Sequence, residues 1–285
     1  MGDRVLLAAL LKLHANHVVA ASQFTERQRS ALNSFGRQTG AIQSQRQGRG
    51  DVYKVLNPAL FTTHLQALSP GVMVPDDKHL PARAQHIANA RDSKAGAHRH
   101  THCYVLLKAI GQGVVWQETD RSIKLHISEA TADFGVASIA IAENDAWSTS
   151  HPLWLIENQA LFDRTDWLLP DTKATLLYYG GHVHGQLLQW LKARQRAQNI
   201  IHFADYDGVG LANFVRLNAA LGDHCSFWLM PDWSDKLKKY GNSQLWRDTL
   251  REFNYASMQI PKHIEPLVQQ MLASAMALEQ EAVWL

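Results

Sequence analysis

The sequence has 285 residues, 46% of them hydrophobic, and a formal charge of only +2. That apolar fraction supports one large domain or two modest ones, and so small a net charge excludes identification of a nucleic-acid partner from total charge alone. Its only two cysteines, Cys103 and Cys225, are far apart and lack C-x-x-C partners, which excludes a disulfide framework or thiolate zinc site and suits a reducing cytoplasm. Lys12 interrupts the apolar stretch from Val5 to Leu11, and no later run approaches the roughly 18 apolar residues of a membrane span. Neither export nor a membrane partner is expected.

Residues 1–58 carry eight Lys or Arg against three acids. Val5, Leu6, Ala9, Leu10 and Leu13 recur at helical spacing, and Thr25 to Phe35 reads as a second helix capped at Ser22 or Thr25. Ala41–Arg46 and Asp51–Leu56 read as strands around the turn Gln47-Gly48-Arg49-Gly50. Two helices and a basic hairpin suggest a winged-helix-like α+β domain over residues 1–70. Its functional form places Arg46 and Arg49 against DNA phosphates; the alternative is a protein-contact domain with a solvated charged face.

Pro70, Gly71, Pro75 and Pro81 mark a linker, so residues 71–150 are expected to form a connector. Within it, Arg91 to His102 is the densest polar cluster. Its run into Cys103–Ile110 reads as a helix, with His98 and His102 four apart on one face. Without an H-E-x-x-H acid, phosphate contacts by Arg91, Lys94 and Arg99 fit better than zinc; a solvated surface helix is the plainer alternative. Gly113–Gln117 and Ser122–His126 alternate like a hairpin.

From Pro152 onward, short apolar runs alternate with amphipathic ones, as in β-α units of an α/β fold with a parallel sheet. Leu153–Ile156 is followed by Glu157, Ala174–Tyr179 by Gly180-Gly181, Asn199–Phe203 by Asp205-Tyr206-Asp207-Gly208-Val209-Gly210, and Ser226–Met230 by Pro231-Asp232. In open α/β sheets the carboxyl ends of the strands line one crevice, so these residues should meet there. Carboxylates about 4 Å apart repel by about 4 kcal/mol at an effective dielectric near 20, which a divalent cation relieves. All-oxygen donors favour Mg²⁺ or Mn²⁺ over zinc. Asp205 and Asp207 can share an ion, Glu157 completes the acidic centre, and Asp232 is either a further ligand or a turn residue. Gly208 and Gly210 are expected to give the sharp turn and close backbone approach.

The strand-end Glu157, the Gly180-Gly181 strand end and Asp205-x-Asp207-x-x-Gly210 resemble the Toprim pattern. Glu157-Asn158, Tyr179-Gly180-Gly181, Asp92-Ser93-Lys94 and the terminal Leu278-Glu279-Gln280-Glu281 are similar to the nuclease subunit of Wadjet-type SMC systems (JetD and its MksG relatives), itself related to the topoisomerase VI A subunit. The resemblance covers residues 85–285, most closely 153–217. It implies a C-terminal Toprim domain over 151–285, a Rossmann-like parallel sheet flanked by helices, and a homodimeric DNA endonuclease acting in plasmid defence or with an SMC-type complex. In that reading Mg²⁺ or Mn²⁺ is held by Asp205 and Asp207, with Glu157 as ligand or general acid/base. No Arg-rich Tyr-Tyr motif is present, so hydrolysis is expected over attack by Tyr53 or Tyr104. Glu143-Asn144 repeats the Glu-Asn pair without an amphipathic helix behind it and reads as a loop. His182 and His184 contact phosphate or are merely solvated; Glu279 and Glu281 reach the metal or face water. The alternatives are a winged-helix regulator on a non-catalytic Toprim scaffold, and an RNA-directed or topoisomerase-like Toprim enzyme.

Overall fold

A computed structural model describes residues 2–70, 80–90 and 102–285. The chain divides into two compact units, residues 1–99 and 100–285.

In the first unit, helix α1 (Gly2–Asn16) leads into strand β1 (Val18–Ala20) and helix α2 (Glu26–Thr39). Thr25 starts α2 with a capping box: its hydroxyl accepts from Gln28 N at 3.2 Å while the Gln28 side chain accepts from Thr25 N at 3.1 Å. Two otherwise orphaned donors are thereby satisfied, which fixes where the helix begins. Strands β2 (Ile42–Gln47) and β3 (Gly50–Val55) pair in register from Gln47 opposite Gly50, leaving Gly48-Arg49 as a two-residue turn with Gly48 at φ +62°. That left-handed position suits glycine. The sheet order is β1-β3-β2, and helix α3 (Pro58–Leu68), capped by Asn57, follows. Leu10, Leu13, Leu32, Phe35, Tyr53, Phe61 and Leu65 form its core. Helix α4 (Ala82–Ala90) comes next in the chain.

The second unit is a mixed α/β structure. Its elements are β4 (Cys103–Ile110), β5 (Val115–Glu118), β6 (Ile123–His126), α5 (Ile127–Phe134), β7 (Ala137–Ile141), β8 (Trp147–Ser148), β9 (Leu153–Ile156), α6 (Gln159–Asp163), β10 (Ala174–Tyr178), α7 (Gly185–Ala193), β11 (Ile200–Phe203), α8 (Gly208–Leu221), β12 (Cys225–Phe227), α9 (Trp233–Tyr240), α10 (Ser243–Asp248), α11 (Leu250–Ser257) and α12 (Glu265–Ser274). Six strands make one sheet in the order β12-β11-β9-β10-β4-β7. Neighbours among β9, β10, β11 and β12 are parallel, whereas β4 runs antiparallel to both β10 and β7. β9 is wholly buried, as a central parallel strand covered on both faces must be. It is flanked by its two successors, β10 on one side and β11 on the other, so strand order reverses around it. A crevice forms at such a reversal, beyond the carboxyl ends.

Two expectations are corrected. Cys103–Ile110 is a strand rather than a helix: Val105, Leu107 and Ala109 are buried and alternate with exposed Tyr104 and Leu106, a period of two rather than 3.6. The stretch from residue 102 onward is also no separate connector, because β4 and β7 complete the main sheet. The small sheet β6-β5-β8 stacks Trp116 on Trp190 of α7 with ring centroids 5.8 Å apart. Most of the expected linker lies outside the described residues.

Candidate active site

The end of β9 delivers Glu157, and the loop from β11 to α8 delivers Asp205 and Asp207, all at the carboxyl edge of the parallel strands. Their positions are set by neighbours close in space and remote in sequence. Asp207 caps α8 by accepting from Gly210 N at 2.7 Å. Asp205 accepts from Gln280 N at 2.8 Å. The fully buried Gln280 side chain donates to Phe203 O at 2.6 Å and accepts from Asn158 N at 2.9 Å, tying together the ends of β9 and β11. The backbones of Leu278 and Tyr206 exchange hydrogen bonds of 2.8 and 3.0 Å beside it. Behind Glu157, the Tyr179 hydroxyl donates to its Oε2 at 3.1 Å and lies 2.9 Å from His202 Nε2.

These acids are electrostatically strained. Burial, then the negative charges of Asp205 and Asp207, push Glu157 up to about 8, against a partly offsetting hydrogen bond from Tyr179. Burial pushes Asp205 up to about 7; Asp207, Glu281 and Glu279 add to the rise, and the Gln280 N–H opposes it. Asp207 is also raised, first by burial and further by Glu252 and Glu279, against the N–H groups of Gly210 and Val209. Glu281 Oε1 accepts from the Asn158 side chain, whereas its Oε2 is buried without a hydrogen-bond partner among the described residues. Burial of several carboxylates without a compensating cation raises their affinity for protons, and a bound divalent cation reverses that effect.

Carboxylate oxygens are the donors that hard divalent cations such as Mg²⁺ and Mn²⁺ take. Among the described residues, no three His, Cys, Asp or Glu side chains are already drawn together as a ligand group. Mg²⁺ does not require one, since it commonly takes one or two carboxylates and fills its shell with water and phosphate.

The glycines at this edge act in two ways. Gly180 and Gly181 adopt φ +62° and +76°, which the turn after β10 requires, but Gly208 and Gly210 have no positive φ. A Cβ on Gly208 would lie 1.9 Å from Thr249 O, and one on Gly210 2.1 Å from Asp205 O. Their hydrogens permit α11 to approach the start of α8 and the Asp205 loop to fold tightly.

Asp232 is exposed at the start of α9, with φ +55° and no side-chain capping bond, which makes it a turn residue. The extra charges on Asp205 and Asp207 come instead from Glu252, Glu279 and Glu281. Arg46 and Arg49 are exposed on the β2–β3 hairpin of the first unit. Arg91, Lys94 and Arg99 lie outside the described residues. His184 caps α7 through Nδ1, accepting from Leu187 N at 3.3 Å, and its Nε2 lies 3.2 Å from Cys103 Sγ. Tyr53 is buried, with its hydroxyl donating to Asn33 at 2.9 Å, which removes it as a nucleophile. Glu143-Asn144 is a loop, and adjacent Asp145 pairs with buried Arg196 at 3.0 Å and accepts from Trp190 at 2.7 Å. A cavity of about 660 Å³ lined by Val115, Thr149, His151 and Gln198 lies towards the amino ends of β9 and β11, away from the acids.

Residues 106–284 match the model of a domain of unknown function, DUF7281. The chain belongs to the DUF7281 family. The matched region begins within β4 and includes Glu157, Asp205, Asp207 and Gln280, so the family domain embraces both the sheet and its acidic edge. No curated protein matches the chain.

Proposed function

We propose that this DUF7281 member is a Mg²⁺- or Mn²⁺-dependent DNA endonuclease whose centre is Glu157, Asp205 and Asp207. The observation that carries this reading is that Glu157, Asp205 and Asp207 lie at the same carboxyl edge of the strand-order reversal, each with its proton affinity raised first by burial. Parallel strands ending in an acid, then Gly-Gly, then Asp-x-Asp support a Toprim assignment for the second unit. In the first unit, α1, β1, α2 and a β2–β3 hairpin with sheet order β1-β3-β2 support a winged-helix assignment. The exposed arginines of that hairpin are suited to phosphate contact.

Asp205 and Asp207 would hold the cation, which when bound polarises the scissile phosphate and stabilises the leaving oxygen. The Gln280 backbone N–H holds Asp205, and the α8 cap fixes Asp207. Glu157 shares this region and, with an affinity for protons near neutrality, is suited to take a proton from an attacking water. Its attachment to Tyr179 restricts its rotation.

Purified protein is incubated with supercoiled plasmid in Mn²⁺ or Mg²⁺, with EDTA, Asp205→Ala and Glu157→Ala in parallel. The reading expects nicked or linear product from the wild type and none with EDTA or either variant. Product that survives Asp205→Ala, or the absence of both cleavage and cation binding in the wild type, overturns it.

A further inference from the structure

His202 is wholly buried on β11, stacked on Phe214 with planes 8° apart and meeting Phe227 edge-on. Burial lowers its basicity, to about 3, so the imidazole is neutral and has one N–H and one bare nitrogen. Nε2 lies 2.9 Å from the Tyr179 hydroxyl, while Nδ1 is buried without a hydrogen-bond partner among the described residues. An unmatched buried N–H is rarer in folded proteins than an unmatched acceptor. The proton therefore belongs on Nε2, donated to the Tyr179 oxygen, and Nδ1 is the bare nitrogen.

That placement fixes the direction of the next bond. A phenolic oxygen that accepts from His202 turns its single proton away, and the other partner in reach is Glu157 Oε2 at 3.1 Å. The chain of donors runs outward from the core, His202 to Tyr179 to Glu157. Tyr179 is itself anchored, because its backbone N–H donates to Ile156 O at 3.1 Å, one residue before Glu157. The hydroxyl is thus held by its ring packing, its backbone and the imidazole behind it, and it presents an aimed donor to one carboxylate oxygen.

We propose that Tyr179, oriented by the Nε2–H tautomer of His202, is the positioning residue that fixes the rotation of the Glu157 carboxylate in the cation-dependent reaction. The inference rests on the endonuclease reading and adds to it two residues that act through Glu157. A partner of this kind, bonded to a ligating or proton-accepting group, commonly changes affinity or rate by about 10–100-fold when removed.

The test uses the full chain. Tyr179→Phe deletes one oxygen and keeps the ring. Its expected effects are a fall in kcat of about 10–100-fold, a KM for plasmid within about twofold of wild type, and weaker Mn²⁺ binding by about tenfold in calorimetry. The long-range ¹H–¹⁵N spectrum of wild-type His202 should show protonated Nε2 and bare Nδ1. His202→Gln, whose amide can donate from near the position of Nε2, should retain much more activity than His202→Phe. This pair tests the donor even if Tyr179→Phe folds poorly. Wild-type kcat and Mn²⁺ affinity in Tyr179→Phe, equal rates for the two His202 variants, or an Nδ1–H tautomer overturns the proposal. If the wild type neither cleaves nor binds Mn²⁺, the endonuclease reading itself has failed and the proposal falls with it; failure confined to the variant comparisons leaves that reading standing.

Discussion

Replacing Glu157 by Gln should make the cation-free protein more stable, and the gain should grow with pH. Glu157 is shifted from 4.5 to about 8 in the folded state. Below the unfolded value the carboxyl is protonated in both states and costs nothing. As pH rises from 4.5 to 8, the unfolded chain releases a proton that the folded one retains, so stability falls, and the loss is complete above the folded value. At about 1.4 kcal/mol per pH unit this amounts to at most about 5 kcal/mol, and coupling to Asp205 makes about 3–5 kcal/mol the realistic range. For a unit of this size, that is a difference of about 6–20 °C in melting temperature. Thermal unfolding in EDTA from pH 5 to pH 8.5 measures it: the Glu157→Gln and wild-type curves should lie close together at pH 5 and separate steadily toward pH 8.5, with Mn²⁺ restoring the wild type. Parallel curves, or a wild type that gains stability relative to Glu157→Gln as pH rises, refute the assignment of a buried, cation-deprived carboxylate.

Gln280→Ala removes the partners of Asn158 N and Phe203 O; two unsatisfied backbone groups at about 1–3 kcal/mol each predict destabilisation of about 2–6 kcal/mol in urea unfolding, together with weaker Mn²⁺ binding. An unchanged midpoint and affinity contradict the tethering role. Gly208→Ala places a methyl against the Thr249 carbonyl and should cost more than about 3 kcal/mol, whereas an ordinary helix glycine gains about 1 kcal/mol on the same change; a thermal melt gives the sign. Charge reversal at Arg46 and Arg49 together should weaken binding to a DNA duplex and flatten its salt dependence, while leaving Mn²⁺ affinity unchanged. An unaltered salt slope removes the hairpin from the DNA interface.

The features that repeat along the chain were legible in the sequence. Apolar runs ending in Glu157, Gly180 and Asp205 identified parallel strands, and thus the edge where the acids lie, because strand direction places every carboxyl end on one side. The turn within Gln47–Gly50 and a helix cap at Ser22 or Thr25 were readable for the same reason, that their chemistry is local, and the fold chooses Thr25. β4 was misread because Cys103–Ile110 contains few of the turn residues that bound a strand and follows a polar, helix-compatible stretch; its alternation of Val105, Leu107 and Ala109 with exposed neighbours was the signal available. Tyr179 and Gln280 stand within motifs read from the sequence, and His202 within an apolar strand, but no local pattern assigns any of the three a part in holding the acids. Their roles arise from pairings such as Gln280 with Asn158, which only the folded sheet brings together. Gly208 and Gly210 were readable as points of close approach, but the groups that approach them, Thr249 and the Asp205 carbonyl, are invisible until α11 and the loop are placed.

The most direct measurement is calorimetric titration of Mn²⁺ into the wild type and Asp205→Asn at pH 6.5, in two buffers of different ionisation heat, which counts the protons released. With Glu157 near 8 and Asp205 near 7 before binding, the wild type should bind the cation and release protons, and Asp205→Asn should lose most of both. No binding by the wild type, or equal binding by Asp205→Asn, contradicts an acidic cation centre at this sheet edge.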